Sequence, residues 1–325
     1  MNINELQTWY LKKQRQLSFR NNRDPYRIWI SEIMAQQTQI ETMLKYYDQW
    51  MQKWPDLQSL SQASLADILS MWEGLGYYKR ALNIHQAIQI INTEFSGIFP
   101  LNYQSILKLP GLGPYTAAAI ASIAYDEKVC AIDGNVNRVI SRYLEIKSLS
   151  TSSNFKMKVR SFMESCLSEA TPHLFTQAMM ELGALVCTKT KPDCLNCPLR
   201  LECKALANQS IQQIPMVAIK KKKARFAKDF VLLRNELNEL AISYKHPDDL
   251  MQGYARLLER NQISEDLEYT YINHQTHTFT HLVWDCDFYT STTNSQHYTF
   301  VSLDSLKDIP LISLHRKWLN HYLSL

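Results

Sequence analysis

The sequence predicts a mainly α-helical domain followed by a small α+β domain. Three observations carry that expectation. Up to about residue 207, apolar residues recur at spacings of three and four. From about residue 219 the pattern alternates, and Thr, Tyr, Val and Phe become frequent, as in strands. Between them, 208–218 reads as a short linker. With 46% apolar and 20% charged residues, the 325-residue chain has enough core-forming material for two domains, and disorder is excluded. No apolar run approaches the roughly 20 residues of a membrane span, so no membrane partner is expected. The opening MNINELQTWYLKKQRQ reads as an amphipathic helix rather than a signal peptide, because its lysines follow the apolar residues; a cytoplasmic location is expected.

In chain order, helical periodicity runs through RIWISEIMAQQTQIETMLKYYDQWM, SLADILSMWEGL, RALNIHQAIQIINTEF and FTQAMMELGALVC. Gly74, Gly76, Pro100, Pro110, Gly111, Gly113 and Gly134 punctuate these stretches. Strands are expected in KKKARFAKDFVLLRNE, NELAISYKH, EYTYINHQTHTFTHLVWDCDFYT and HYTFVSL, and LISLHRKWLNHYLSL reads as a closing helix. The domains are thus 1–207 and 219–325. The net charge of +4 is uneven: residues 211–228 hold six basic groups (Lys220, Lys221, Lys222, Lys223, Arg225, Lys228) and no acid. Such a block suits a solvated face or a polyanion.

LPGLGPYTAA places Gly111 and Gly113 before an alanine-rich helical run. Both glycines can take positive φ, and Pro114 suits a first helical turn. Unpaired N–H groups at that helix start would hold an anion such as a phosphate, which is how a helix-hairpin-helix grips a nucleic-acid backbone. An ordinary helix–helix corner would use the same residues. In AIDGNVNRVISR, Asp133 falls at a helix start, as an N-cap that can still face a substrate. Four of the seven cysteines crowd into CTKTKPDCLNCPLRLEC with spacing C-x6-C-x2-C-x5-C. Without a secretion signal, that suggests a metal centre rather than disulfides. Zinc also takes four thiolates, though usually from two C-x-x-C pairs. Cys130, Cys166 and Cys286 read as ordinary buried thiols.

In this order SEIMAQQTQI, WEGLGYYKRA, LPGLGPYTA, IDGNVNRV and the cysteine loop resemble MutY-type adenine DNA glycosylases of the helix-hairpin-helix superfamily, densely over 15–205 and weakly beyond. The resemblance implies a two-lobed helical glycosylase domain, a [4Fe–4S] cluster on Cys187, Cys194, Cys197 and Cys203, and a Nudix-like (MutT-like) domain at 219–325. Lys189, Lys191, Arg200 and Lys204 around the cysteines would suit phosphate contact.

Adenine leaves well only when a ring nitrogen is protonated, and the sugar then passes through an oxocarbenium-like state that a carboxylate stabilises. By resemblance Glu32 is the general acid and Asp133 the electrostatic partner or nucleophile, with Asn135 positioning water. Ile30, Ile33 and Met34 around Glu32 should raise its pKa, whereas Asp133 at a helix start should stay ionised.

Tyr115 stands where bifunctional relatives carry a Schiff-base lysine, so strand cleavage is not expected. Gln37 and Thr38 resemble a polar wedge, and Tyr77 an intercalating aromatic. Arg15 and Gln177 correspond to contacts with the flipped adenine, and Gly111 and Gly113 to phosphate contacts. Phe279, Thr280 and His281 in HTFTHLVW would read 8-oxoguanine; there is no Nudix box. The expected function is a monomeric, monofunctional glycosylase of base excision repair. Its partner would be double-stranded DNA with adenine opposite 8-oxoguanine or guanine. An endonuclease III-like glycosylase/lyase and a non-catalytic iron–sulfur DNA-binding module are the alternatives.

Overall fold

The structure, a computed structural model, describes all residues except 21, 219–221, 246–252, 264–265, 280–281 and 324–325. By backbone contacts the chain divides into two units, Met1–Gln62 with Gln86–Ile219, and Ala63–His85 with Lys220–Leu325. No helix among the described residues is long and apolar enough to cross a membrane.

The first unit is helical. Its elements are α1 (Ile3–Lys13), α2 (Pro25–Ala35), α3 (Ile40–Lys53) and the short α4 (Leu57–Ser61). After α5 (Leu65–Trp72), which belongs to the second unit, and α6 (Lys79–Glu94), whose residues up to His85 do so too, come α7 (Tyr103–Ile106), α8 (Pro114–Tyr125), α9 (Gly134–Leu144), α10 (Ser153–Glu169), α11 (Pro172–Leu185) and α12 (Lys204–Ala207). One core joins α1, α9, α10 and α11 through Leu6, Val136, Ile140, Phe155, Phe175 and Leu182. The sequence of α8, PYTAAAIASIAY, is rich in alanine, and Thr116 to Ile123 are all buried. Small side chains let α2 and α11 both pack closely against it.

The second unit contains a six-stranded mixed sheet among its described residues. Its strands are β1 (Ala224–Arg234), β2 (Leu240–Ser243), β3 (Arg256–Glu259), β4 (Thr270–Thr278), β5 (Leu282–Thr292) and β6 (Thr299–Val301), in the order β4-β5-β1-β3-β2-β6. β1 and β5 run parallel with Phe230 opposite Phe288; the other pairs are antiparallel. Both phenylalanines face the closing helix α13 (Ser313–Leu323): Phe288 stacks on Trp318 at 4.2 Å and Phe230 meets His315 edge-on at 4.3 Å. Alternation along β1 sends Val231 and Leu233 into a second cluster on the opposite face, with Ala241 and Leu258. Residues 63–85, helical in the sequence reading, group with this unit rather than the first.

Candidate active site

Three helices converge on one group of polar side chains in the first unit. α2 begins at Pro25, capped by Asp24, whose carboxylate accepts from the Tyr26 N–H at 2.9 Å. Tyr26, Ile28, Trp29, Ile30, Ile33 and Met34 are all buried, so α2 is apolar almost all round and Glu32 is its one acidic group. Tyr115 lies in the first turn of α8. Asp133 is the N-cap of α9; one carboxylate oxygen accepts the Val136 N–H at 2.7 Å and the other the Asn135 side-chain amide at 2.9 Å.

Glu32 keeps part of its surface accessible, yet protein surrounds its carboxyl densely enough that desolvation dominates its titration. Burial pushes its pKa up to about 7; a hydrogen bond with Tyr115 pulls it down, the charge of Asp133 pushes it up, and Arg20 pulls it down. The Tyr115 hydroxyl is driven well above its ordinary value by burial and by the charges of Glu32 and Asp133, so it stays a neutral phenol. It also points at the Met180 sulfur, 3.9 Å away. A carboxyl that is half-protonated near neutrality, beside a carboxylate tied into a helix cap, can give a proton to one side of a substrate and stabilise positive charge on the other.

Asn135 is held from both sides. Its amide donates to Asp133, and its side-chain oxygen accepts from Arg138 Nη2 at 2.8 Å. Arg138 also donates to the carbonyls of Gly183 and Cys187, both at 2.8 Å. Gly183 brings α11 unusually close here: an added Cβ would lie 2.6 Å from Asn135 Cβ.

Next to this group lies a buried ionic knot that the sequence reading missed. Glu181 is fully buried and accepts from Arg15 through Nε and Nη2, at 2.9 and 2.8 Å, and from Arg20 Nη2 at 2.8 Å. Burial alone would raise Glu181, but the hydrogen bonds from Arg15 and Arg20 outweigh it and hold its pKa at about 2. Gln177, one turn earlier on α11, accepts from the Tyr10 hydroxyl at 3.0 Å and donates to the His173 carbonyl at 3.2 Å. Arg15 and Gln177 are thus already engaged with protein groups. The signal for Glu181 was a single acid in the apolar run FTQAMMELGAL.

Gln37 and Thr38 follow α2 directly. Gln37 is exposed and adopts φ 57°, while the Thr38 hydroxyl donates to the Gln36 carbonyl at 3.3 Å. In the hairpin turn Gly111 takes φ 78°, as expected. Gly113 does not: it is the N-cap of α8 at φ −75°, with open space where a Cβ would go, so the positive-φ reading is corrected there. Pro114 occupies the first turn and supplies the fixed φ that starts the helix.

This order of catalytic-type groups around a glycine-turned hairpin has a family counterpart. Residues 30–165 match the model of the HhH-GPD superfamily base excision DNA repair proteins. These residues belong to the HhH-GPD superfamily. The superfamily match spans Glu32, the hairpin, Asp133 and Asn135. The chain is 37% identical over 231 residues to an adenine DNA glycosylase of Buchnera aphidicola, covering 71% of this chain and 66% of that protein. It is 41% identical over 209 residues to the adenine DNA glycosylase of Mus musculus, covering 62% and 41%. The chain spans less than two thirds of the length of these relatives. Among solved structures it is similar to a thermostable thymine-DNA glycosylase, with a TM-score of 0.58 and 25% identity over 63% of this chain and 95% of that one.

Beyond the superfamily match lie the cysteine loop and the second unit's sheet. Among the described residues, no group of three or more His, Cys, Asp or Glu is arranged to hold a metal ion. The four loop cysteines nonetheless share one half-buried neighbourhood. Burial chiefly, with the charges of Cys187, Cys203 and Cys194 adding to it, pushes Cys197 up to about 12; Cys194 and Cys203 are raised as well, burial again coming first. Arg142, buried in α9, aims Nη1 at the Cys187 sulfur, 3.5 Å away, and donates to the carbonyls of Thr188, Lys189 and Ile214.

In the second unit Tyr77 is 43% exposed at φ 50°, with Arg80 over its ring at 5.3 Å. Phe279 directly follows β4, edge-on to His277 at 4.5 Å and to Trp284 at 4.7 Å. Its N–H donates to the Leu282 carbonyl and its own carbonyl accepts from Lys223. Thr280, His281, Lys220 and Lys221 lie outside the described residues.

Proposed function

We propose that the protein is a monomeric, monofunctional adenine DNA glycosylase of base excision repair, removing adenine opposite 8-oxoguanine or guanine from duplex DNA. The observation that carries this reading is the pairing of Glu32, with its pKa near 7, and the helix-capping Asp133 across the interface of α2, α8 and α9. Relatives named as adenine DNA glycosylases support the choice of base.

In the proposed reaction Glu32 gives its proton to a ring nitrogen of the extruded adenine. The bond from that base to the sugar then breaks, with its electrons leaving on the base. Asp133 stabilises the positive charge left on the sugar. Water held at Asn135 bonds to the sugar carbon, and Glu32, now ionised, takes the proton back. Tyr115 has no amine with which to form an imine, so the abasic strand stays intact. Gln37 and Thr38 fill the emptied stack, Tyr77 intercalates beside the partner base, and Arg15 and Gln177 border the adenine. The turn at Gly111 and Gly113 presents backbone N–H groups to phosphate.

By resemblance, and because their spacing lacks the two C-x-x-C pairs usual for zinc, Cys187, Cys194, Cys197 and Cys203 would hold a [4Fe–4S] cluster. Bound iron would supply positive charge to the thiolates, and buried Arg142, beside the Cys187 sulfur, adds to it. Such a cluster would hold the loop that presents Lys189, Lys191, Arg200 and Lys204 to DNA. The mixed sheet with α13 supports the Nudix-like reading of the second unit, and Phe279, Thr280 and His281 would read 8-oxoguanine there.

The test is alkali-revealed cleavage of duplexes carrying adenine opposite 8-oxoguanine, guanine or thymine. The reading predicts cleavage for the first two, and only after alkali. Nicking without alkali, together with a borohydride-trapped adduct, would favour the endonuclease III-like alternative.

A further inference from the structure

The turn carrying Tyr77 is braced from several sides within the second unit. Gly74 and Gly76 take φ 91° and 75°, and Tyr77 follows in the left-handed region, which a tyrosine rarely occupies. From inside the turn, Trp72 Nε1 donates to the Gly76 carbonyl at 3.0 Å. Arg80 donates to the carbonyls of Leu75 and Gly76 while its guanidinium lies over both the Trp72 and Tyr77 rings.

The remaining braces come from the far end of the sequence. Glu73, the C-cap of α5 and the residue before Gly74, pairs side-on with Arg316 of α13 (Nε–Oε1 2.6 Å, Nη2–Oε2 3.3 Å). Arg316 is itself fixed by the carbonyls of Leu306 and Ile309. On the other flank, the Tyr78 ring packs on Tyr254 with centroids 4.0 Å apart. The Tyr254 hydroxyl donates to the Leu69 carbonyl at 2.9 Å, and the Tyr78 hydroxyl accepts the Ser313 N–H at 3.2 Å. Gly253 makes that approach possible, since a Cβ there would lie 3.0 Å from Leu69 Cδ1.

We propose that Arg316 and Tyr254 are positioning residues for Tyr77: residues from the sheet-bearing half of the sequence hold the exposed ring in the orientation from which it enters the DNA stack. The proposal rests on the reading of Tyr77 as an intercalating residue. Both flanks of the turn, Glu73 and Tyr78, are tied to those distant segments, and the ring between them is left presented to solvent. A left-handed tyrosine persists only where its surroundings over-determine it, and these contacts supply that determination.

The test uses the full-length protein. A duplex carries an uncleavable 2′-fluoro-deoxyadenosine opposite 8-oxoguanine, with 2-aminopurine beside the 8-oxoguanine. Insertion of a ring unstacks the reporter and raises its fluorescence. The wild type should give the rise, and Tyr77→Leu should abolish it. Arg316→Met and Glu73→Ala should each weaken the rise by roughly fivefold, and the double variant should be no worse than either single one, as for two ends of one interaction. Tyr254→Phe, which removes only a hydroxyl, should give a smaller loss in the same direction with an unchanged melting curve. If Tyr77→Leu abolishes the rise while folded Arg316→Met and Tyr254→Phe keep it in full, the positioning role is overturned. If Tyr77→Leu itself keeps the rise, the intercalation reading falls, and the proposal with it.

Discussion

Replacing Gly183 with alanine should separate activity from stability. The new Cβ would stand 2.6 Å from Asn135 Cβ and 3.3 Å from its Cα and backbone carbon. Carbon atoms pack at about 3.5–4.0 Å, so the start of α9 must retreat by about 1 Å. Asn135 donates to the second oxygen of Asp133, so the shift reaches the carboxylate directly. Misplacing reacting groups by about 1 Å can slow a reaction by about a hundredfold. Stability should change much less. Alanine is favoured over glycine in a helix by about 1 kcal/mol, against an overpacking penalty of about 1–3 kcal/mol. Single-turnover adenine release, with a thermal melt on the same sample, reads both quantities. Gly183→Ala should lose about two orders of magnitude in rate while its melting temperature falls by only a few degrees. A variant releasing adenine at the wild-type rate would show that Asn135 and Asp133 need not be where the structure puts them.

Three further outcomes follow from the same geometry. Activity that depends on protonated Glu32 should decline as pH rises through about 7. The Tyr115 hydrogen bond lowers that pKa, so Tyr115→Phe should move the alkaline limb of the rate profile upward by about half a unit to one unit, taking such a bond as about 1 kcal/mol; a limb that stays put or moves down would contradict this. Glu181→Gln leaves the partly buried Arg15 and Arg20 short of their carboxylate and should cost about 1.5–3 kcal/mol in a denaturant titration. Because the Glu181 pKa is depressed to about 2, its contribution is present above its ordinary pKa and disappears as pH falls toward 2; acid stability retained by the variant's parent through that window would argue against the ion-pair account. The purified protein should absorb broadly near roughly 400 nm, and iron chelation or Cys197→Ser should remove that band together with duplex affinity; a colourless protein containing zinc would overturn the cluster.

The parts of this site that the sequence revealed are those set by neighbours along the chain. The family resemblance singled out Glu32, while its neighbours Ile30, Ile33 and Met34 gave the expectation of a raised pKa, and burial does dominate its titration. Asp133 stood out because Asp-Gly before a periodic apolar run reads as a cap, and its carboxylate does accept the Val136 N–H. Chemistry that depends on distant partners was hidden. Glu181 meets Arg15 and Arg20 more than 160 residues away in sequence, so helical periodicity could describe it only as a stray charge. Nothing in the helical run FTQAMMELGALVC shows that Asn135 lies against Gly183. Gly113 was misread because glycine permits positive φ without requiring it; Gly111 alone makes the turn, and Gly113 only caps. Likewise, periodicity identified the helices of residues 63–85 but gave no sign that Glu73 and Tyr78 face Arg316 and Tyr254.

The two-carboxylate claim is tested most directly by comparing Glu32→Gln and Asp133→Asn with the wild type on a duplex holding adenine opposite 8-oxoguanine, measuring binding and base release side by side. Both variants should bind the duplex about as tightly as the wild type and release essentially no adenine. Normal release by either one would remove that residue from the chemistry and, with it, the mechanism built on the pair.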